Sequence, residues 1–165
     1  MPNGGPPKVK YTKKIIVDPE FGKYRTIGEA IDAAEEGTII KLSEGVYTCN
    51  IVVRKPGIKI EPRDKDKPVY LLGNEGPVIK VEMEDPHHHL VIKRLLLAHS
   101  GLNLVKKFKA VQEQFTFQNA KKANPKTLMN FDIQKDMDTV ILVRKGGLVM
   151  RNCLVSLRSL PKNLI

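Results

Sequence analysis

The most metal-like string in the chain is Asp85-Pro86-His87-His88-His89. In an extended segment His87 and His89 share one face, and Asp85 can join them as an oxygen ligand. His99 follows about one strand later. Three adjacent histidines match no common zinc spacing, however, and no cysteine is near, so an exposed polar turn is the favoured reading. Cys49 and Cys153 need a neighbouring base or cation to become nucleophiles. Each lies in or beside an apolar run, which points to buried, unreactive thiols, with Cys153 at an interior position. Acid–base chemistry needs two carboxyl groups converging on one face. Glu61, Asp64 and Asp66 sit among Arg63, Lys65 and Lys67 and read as a solvated charged turn. Glu82, Glu84 and Asp85 alternate along a strand and its end, and offer at most a weak cation site. The sequence therefore assigns no catalytic residue, no cofactor site and no metal ligand.

What remains is charge. Lysine and arginine number 28 against 18 acidic residues, a net charge of +10. Such a balance attracts polyanions: nucleic acid, acidic membrane or an acidic protein. Lys106-Lys107-Phe108-Lys109 and Lys121-Lys122 make one face of an expected helix basic, and Phe115 and Phe117 add apolar contacts. Lys13, Lys14 and the turn with Arg63, Lys65 and Lys67 extend this surface. These are the expected partner-binding residues; a solvated lysine-rich face is the plain alternative. No helix-turn-helix, zinc-finger, RRM, KH or phosphate-loop signature is present, so sequence-specific reading of nucleic acid is not supported. Non-specific polyanion binding stays open. Tryptophan is absent and aromatics are 5%, which weakens readings built on aromatic platforms for sugars or single-stranded bases.

The elements that must position these residues are mostly short strands. A chain of 165 residues predicts one domain. Residues 1–14 read as a flexible basic arm rich in proline and glycine. Lys14-Ile15-Ile16-Val17 is an apolar strand stopped by Pro19. Thr26 and Glu29 form a capping box, and Ile27, Ala30, Ile31 and Ala34 share one helical face, so a helix is expected over 27–35 within a 26–36 cap, with Gly37 as its stop. Then come β-rich runs at 38–42, 50–54, 58–61, 69–72, 78–83 and 90–98, separated by turn residues. Gly37, Gly57 and Gly76-Pro77 stand about 20 residues apart, the period of a solenoid coil. Each unit reads as strand, turn, strand, turn, and DTVILVRKGGLVMRNCLVSL has the same shape. No Asn-Gly hairpin joins these strands, which favours stacked parallel coils over a sandwich. Residues 102–137 break the rhythm: Leu104, Phe108, Val111 and Phe115 predict a helix within an insertion.

Ile16-Val17-Asp18-Pro19, then Tyr24-Arg25-Thr26-Ile27-Gly28-Glu29-Ala30-Ile31-Asp32-Ala33-Ala34, then Gly37-Thr38-Ile39-Ile40-Lys41-Leu42 and Glu44-Gly45-Val46-Tyr47, resemble the opening of right-handed parallel β-helix proteins of the pectin lyase-like superfamily, pectin methylesterases in particular. Leu90–Leu97 and Leu148–Val155 are similar to the weak repeats of the same fold. The resemblance implies a mainly β domain over 15–165, a short right-handed parallel β-helix of about four coils whose first helix caps the stack. It does not carry the chemistry. The esterase motifs Q-D-T-L and D-F-I-F-G are missing, Phe131-Asp132-Ile133 being the nearest string, and Cys49 stands where the family has a glutamate.

These observations favour a non-catalytic scaffold or interaction module, a structural subunit of a larger assembly. A protein partner, or a second copy, is expected to cover the C-terminal end of the coils. An acidic surface such as tubulin suits the charge. A degenerate carbohydrate-active enzyme and a non-specific polyanion binder are the alternatives. Two cysteines make no disulfide framework, no apolar run reaches the ~20 residues of a membrane span, and the first residues lack a secretory core. A cytoplasmic protein without membrane contact is therefore expected, the cytoskeleton or cilium being one version.

Overall fold

The structure, a computed structural model, describes residues 8–73, 76–99 and 139–156. The expected insertion at 102–137, with Lys106, Lys107, Phe108, Lys109, Phe115, Phe117, Lys121 and Lys122, lies outside the described residues, as do residues 157–165.

In chain order the elements are β1 (Lys13–Val17), α1 (Ile27–Ala33), β2 (Thr38–Leu42), β3 (Gly45–Thr48), β4 (Ile51–Val53), β5 (Ile58–Pro62), β6 (Val69–Gly73), β7 (Ile79–Glu82), β8 (His89–Lys93), β9 (Leu96–His99), β10 (Ile141–Lys145), β11 (Gly147–Arg151) and β12 (Leu154–Ser156). The strands form three sheets, ordered β1-β2-β5-β8-β11, β12-β9-β6-β3 and β10-β7-β4. The named strand pairs are all parallel. From β2 onward the chain visits the first, second and third sheets in turn and then returns to the first. One such circuit is a rung: β2-β3-β4, β5-β6-β7, β8-β9-β10, then β11-β12. The fold is mainly β with parallel sheets, compatible with a β-helix-like architecture.

Alternation decides which side chains go inside. Every second residue of a strand points to the same face. In the first sheet Ile15, Ile40, Ile60, Ile92 and Met150 line up in register, one from each strand. In the second sheet the column is Tyr47, Leu71, Leu97 and Val155. In the third, Ile51, Ile79 and Ile141 stand beside Val53, Val81 and Val143. The three inner faces share one hydrophobic core.

The first helix closes one end of that core. Oγ1 of Thr26 accepts the Glu29 N–H at 3.1 Å, and the Glu29 carboxylate accepts the N–H groups of Arg25 and Thr26. Ile27, Ala30 and Ile31 are buried. The helix ends at Ala33, short of the expected 35, because Ala34 turns extended while its N–H bonds to the carbonyls of Ala30 and Ile31. Lys55 from the next rung then caps the helix: its ammonium donates to the carbonyls of Ile31, Asp32 and Ala34 at 3.0, 2.6 and 3.2 Å. Gly37 is thus not the helix stop. At φ +86° it forms the corner before β2, and its N–H bonds to the carbonyl of Gly57, the φ +70° corner before β5. Only glycine takes such angles without strain. Gly76-Pro77 stands at a different corner, ahead of β7, so the three glycines do not mark equivalent places.

Two further expectations are corrected. A rung holds three strands where two were expected: β3 lay hidden behind Ser43-Glu44-Gly45, because Tyr47 is its one buried residue. The single run over 90–98 is two strands, broken where Arg94 takes φ 54°. Asn152 at φ 53° makes the same corner one rung later. Likewise DTVILVRKGGLVMRNCLVSL is not one unit: β10 completes one rung, and β11 and β12 begin the next.

Candidate functional site

Among the described strands, β10, β11 and β12 are the last in their sheets. Their inward positions continue the interior columns. Val143 is in register with Val81, Met150 with Ile92, and Val155 with Leu97. The inner partners are 0%, 0% and 1% exposed, whereas Val143, Met150 and Val155 are 40%, 38% and 40% exposed. Leu154 beside them is 63% exposed. Residues that belong to a core by register are here more than a third exposed at the edge of the described sheets. Such a face exposes aliphatic surface next to strand edges, the combination that invites pairing with further strands.

The second feature is a charged cluster on the outer side of the first sheet. Glu61 of β5 is buried, and its Oε1 accepts from the Lys41 ammonium at 2.6 Å. Lys59 and Arg94 approach its Oε2 at 3.7 and 3.5 Å. Burial raises the pKa of this carboxyl, but the Lys41 hydrogen bond and the charges of Lys59, Lys41 and Arg94 outweigh it and hold the group below its ordinary value. This corrects the sequence reading of Glu61 as part of a solvated turn. Two of its partners, Lys41 and Arg94, come from neighbouring rungs, which linear proximity to Asp64 and Asp66 did not reveal.

The turn after β5 behaves differently. Arg63, Lys65 and Lys67 share one open hollow with Asp18, Glu44, Asp64 and Asp66. Lys67 lies 3.6 Å from Glu44. Three cations here face four carboxylates, so the hollow presents no net positive field. The three residues are brought together, though without the basic character expected of a polyanion site.

The Asp85–His89 string forms a polar turn. The Asp85 carboxylate accepts the His87 backbone N–H at 2.8 Å and its Nδ1–H at 2.9 Å. His87's backbone and side-chain bonds hold the Asp85 pKa down. His89 turns away, its Nδ1–H donating to the His87 carbonyl at 2.8 Å. His99 is buried on β9 in another sheet, in register with Gly73, and its Nε2 has no hydrogen-bond partner among the described residues. Among the described residues no three His, Cys, Asp or Glu side chains converge as a metal site. Glu82 meets Arg54 and Lys80 at 3.3 and 3.8 Å.

Both cysteines are half-buried against the core. Burial pushes the Cys49 thiol up to about 12, which suppresses its thiolate. The Cys153 thiol donates to the Arg151 carbonyl at 3.4 Å. Among the described residues no helix is long and apolar enough to cross a membrane. No family model matches the chain, and a search of curated proteins finds no significant match.

Proposed function

We propose that the chain is a non-catalytic scaffold, a short right-handed parallel β-helix of the pectin lyase-like kind, and that a partner protein docks on its last rung within a larger assembly. The observation that supports this reading is the emergence of the interior columns at Val143, Met150 and Val155, each in register with a buried residue one rung earlier. Burying a valine or methionine side chain is worth about 1.5–3 kcal/mol. A protein that lays its own strands on β10, β11 and β12 gains that burial and the edge hydrogen bonds together. The net charge of +10 favours a partner with an acidic surface, and a cytoskeletal or axonemal assembly is one setting of that kind.

The test uses the full chain, tagged and expressed in its own cells, with a photo-crosslinking residue at position 150. The expected result is one protein that co-purifies at moderate salt, crosslinks at that position and is lost from a V143K/M150K/V155K variant that still folds. Retention of the same protein by that variant, or no crosslinked protein at position 150, would overturn the proposal.

A further inference from the structure

A cleft of about 290 Å³ opens on the outer face of the first sheet, beneath the segment that leads into β1. Val91 of β8 and Val149 of β11, neighbours in register, line it with Lys59 of β5, which pairs with Val91. Tyr11 and Val9, from the segment ahead of β1, also line it. The sequence predicts a flexible basic arm over 1–14; in the structure Tyr11 is half-buried, and the Lys59 ammonium stands 5.6 Å from its ring centre. Burial raises the Tyr11 pKa, and the charge of Arg151 opposes the rise.

The charges around the cleft are one-sided. Lys8, Lys59 and Arg151 line it, with His88 and His89 at one end and Glu36 as the one carboxylate among the lining residues. Lys59 is shared with Glu61, itself outnumbered by Lys41, Lys59 and Arg94. Lys8 and Arg151 hold no ion pair among the described residues. The hollow at 63–67 has the opposite character, its cations being matched by carboxylates. An apolar slot with unmatched cations at its rim favours a ligand with a negative head and a flat apolar body. The volume is just below the range of ligand pockets, about 300–1,000 Å³, so the body is of single-ring size.

We propose that this cleft binds a small organic anion, a carboxylate or phosphate monoester on an apolar ring, with its head at Arg151 and Lys8 and its ring between Tyr11 and Val91. The site shares β11 with the proposed docking face but uses Val149 and Arg151, not Met150. Titration of the full chain with phenyl phosphate, with benzoate and with the neutral benzyl alcohol, followed by amide chemical shifts, tests it. The expected result is a Kd of about 1 mM or tighter for at least one acid, with shifts at Tyr11, Val91 and Val149. The tighter acid identifies the head group. Benzyl alcohol binds at least about tenfold more weakly, Arg151→Met costs about tenfold, and Tyr11→Ala weakens the acid as well. Lys23→Met, at an exposed lysine outside the cleft, leaves affinity unchanged and controls for non-specific attraction. Equal binding of the alcohol, no binding of either acid, shifts away from the cleft, or an unchanged affinity in a folded Arg151→Met chain would overturn the proposal.

Discussion

At the start of the stack the interior columns run into α1. Ile27, Ala30 and Ile31 lie buried over the first rung, the capping box fixes the helix entrance, and the Lys55 ammonium satisfies the carbonyls at its exit. At the other edge of the described sheets the same columns end in Val143, Met150 and Val155, each more than a third exposed. The strands on either side obey one rule of alternation, and what differs is the cover. A parallel stack buries each rung under the next, so its interior needs something different at each end. Here a helix of the chain's own supplies one cover, and a partner is the proposed supplier of the other.

The sharpest way to break this comparison is to damage the closed end. Ile31→Asp puts a carboxylate without a partner against the core and is expected to cost at least about 3 kcal/mol, or to prevent folding, as read by urea unfolding. A milder Ile31→Ala, which opens a cavity, keeps the prediction measurable at about 2–4 kcal/mol. Next in size is Glu61→Gln, midway between the ends. It leaves Lys41, Lys59 and Arg94 facing a neutral group and is expected to cost about 2–3 kcal/mol near neutral pH. The pH dependence has a definite sign. The folded pKa of Glu61 lies below the unfolded value of 4.5, so its contribution is complete above that pH and is lost as pH falls through the folded value. Unfolding curves across the acid range should therefore flatten in Glu61→Gln. Smaller again is Lys55→Met, which keeps the aliphatic stem and removes three bonds to helix carbonyls; about 1–2 kcal/mol is expected. Thr26→Ala removes the capping box at about 1 kcal/mol, visible as a lower thermal midpoint.

Local chemistry was legible in the sequence, and relations between rungs were not. Thr26 and Glu29 announced the helix start because a capping box is complete within four residues. Strand β2 follows from the alternation of Thr38, Ile40 and Leu42, all buried, with Ile39 and Lys41. Strand β3 was lost because one aromatic residue is too little pattern to distinguish a strand from a turn. The break at Arg94 was invisible because Leu95, Leu96 and Leu97 continue the apolar run, and arginine is an uncommon residue at positive φ. Asn152 at the equivalent corner is a better signal, since asparagine visits that region more readily. The surroundings of Glu61 and the cleft beneath Tyr11 are assembled from β2, β5, β8 and β11, so no window of sequence contains them. Solenoid logic predicts an uncovered end but not the residues that line it; those follow from register alone, Met150 standing over Ile92 at the edge of the described strands.

That pair gives the most direct measurement. Ile92→Lys and Met150→Lys place the same charge on the same interior column, one rung apart. In urea unfolding of the isolated chain, the first is expected to cost at least about 3 kcal/mol and the second less than about 1 kcal/mol. Equal losses would mean that the last rung is already sealed in the free chain, and the proposed docking face would not exist.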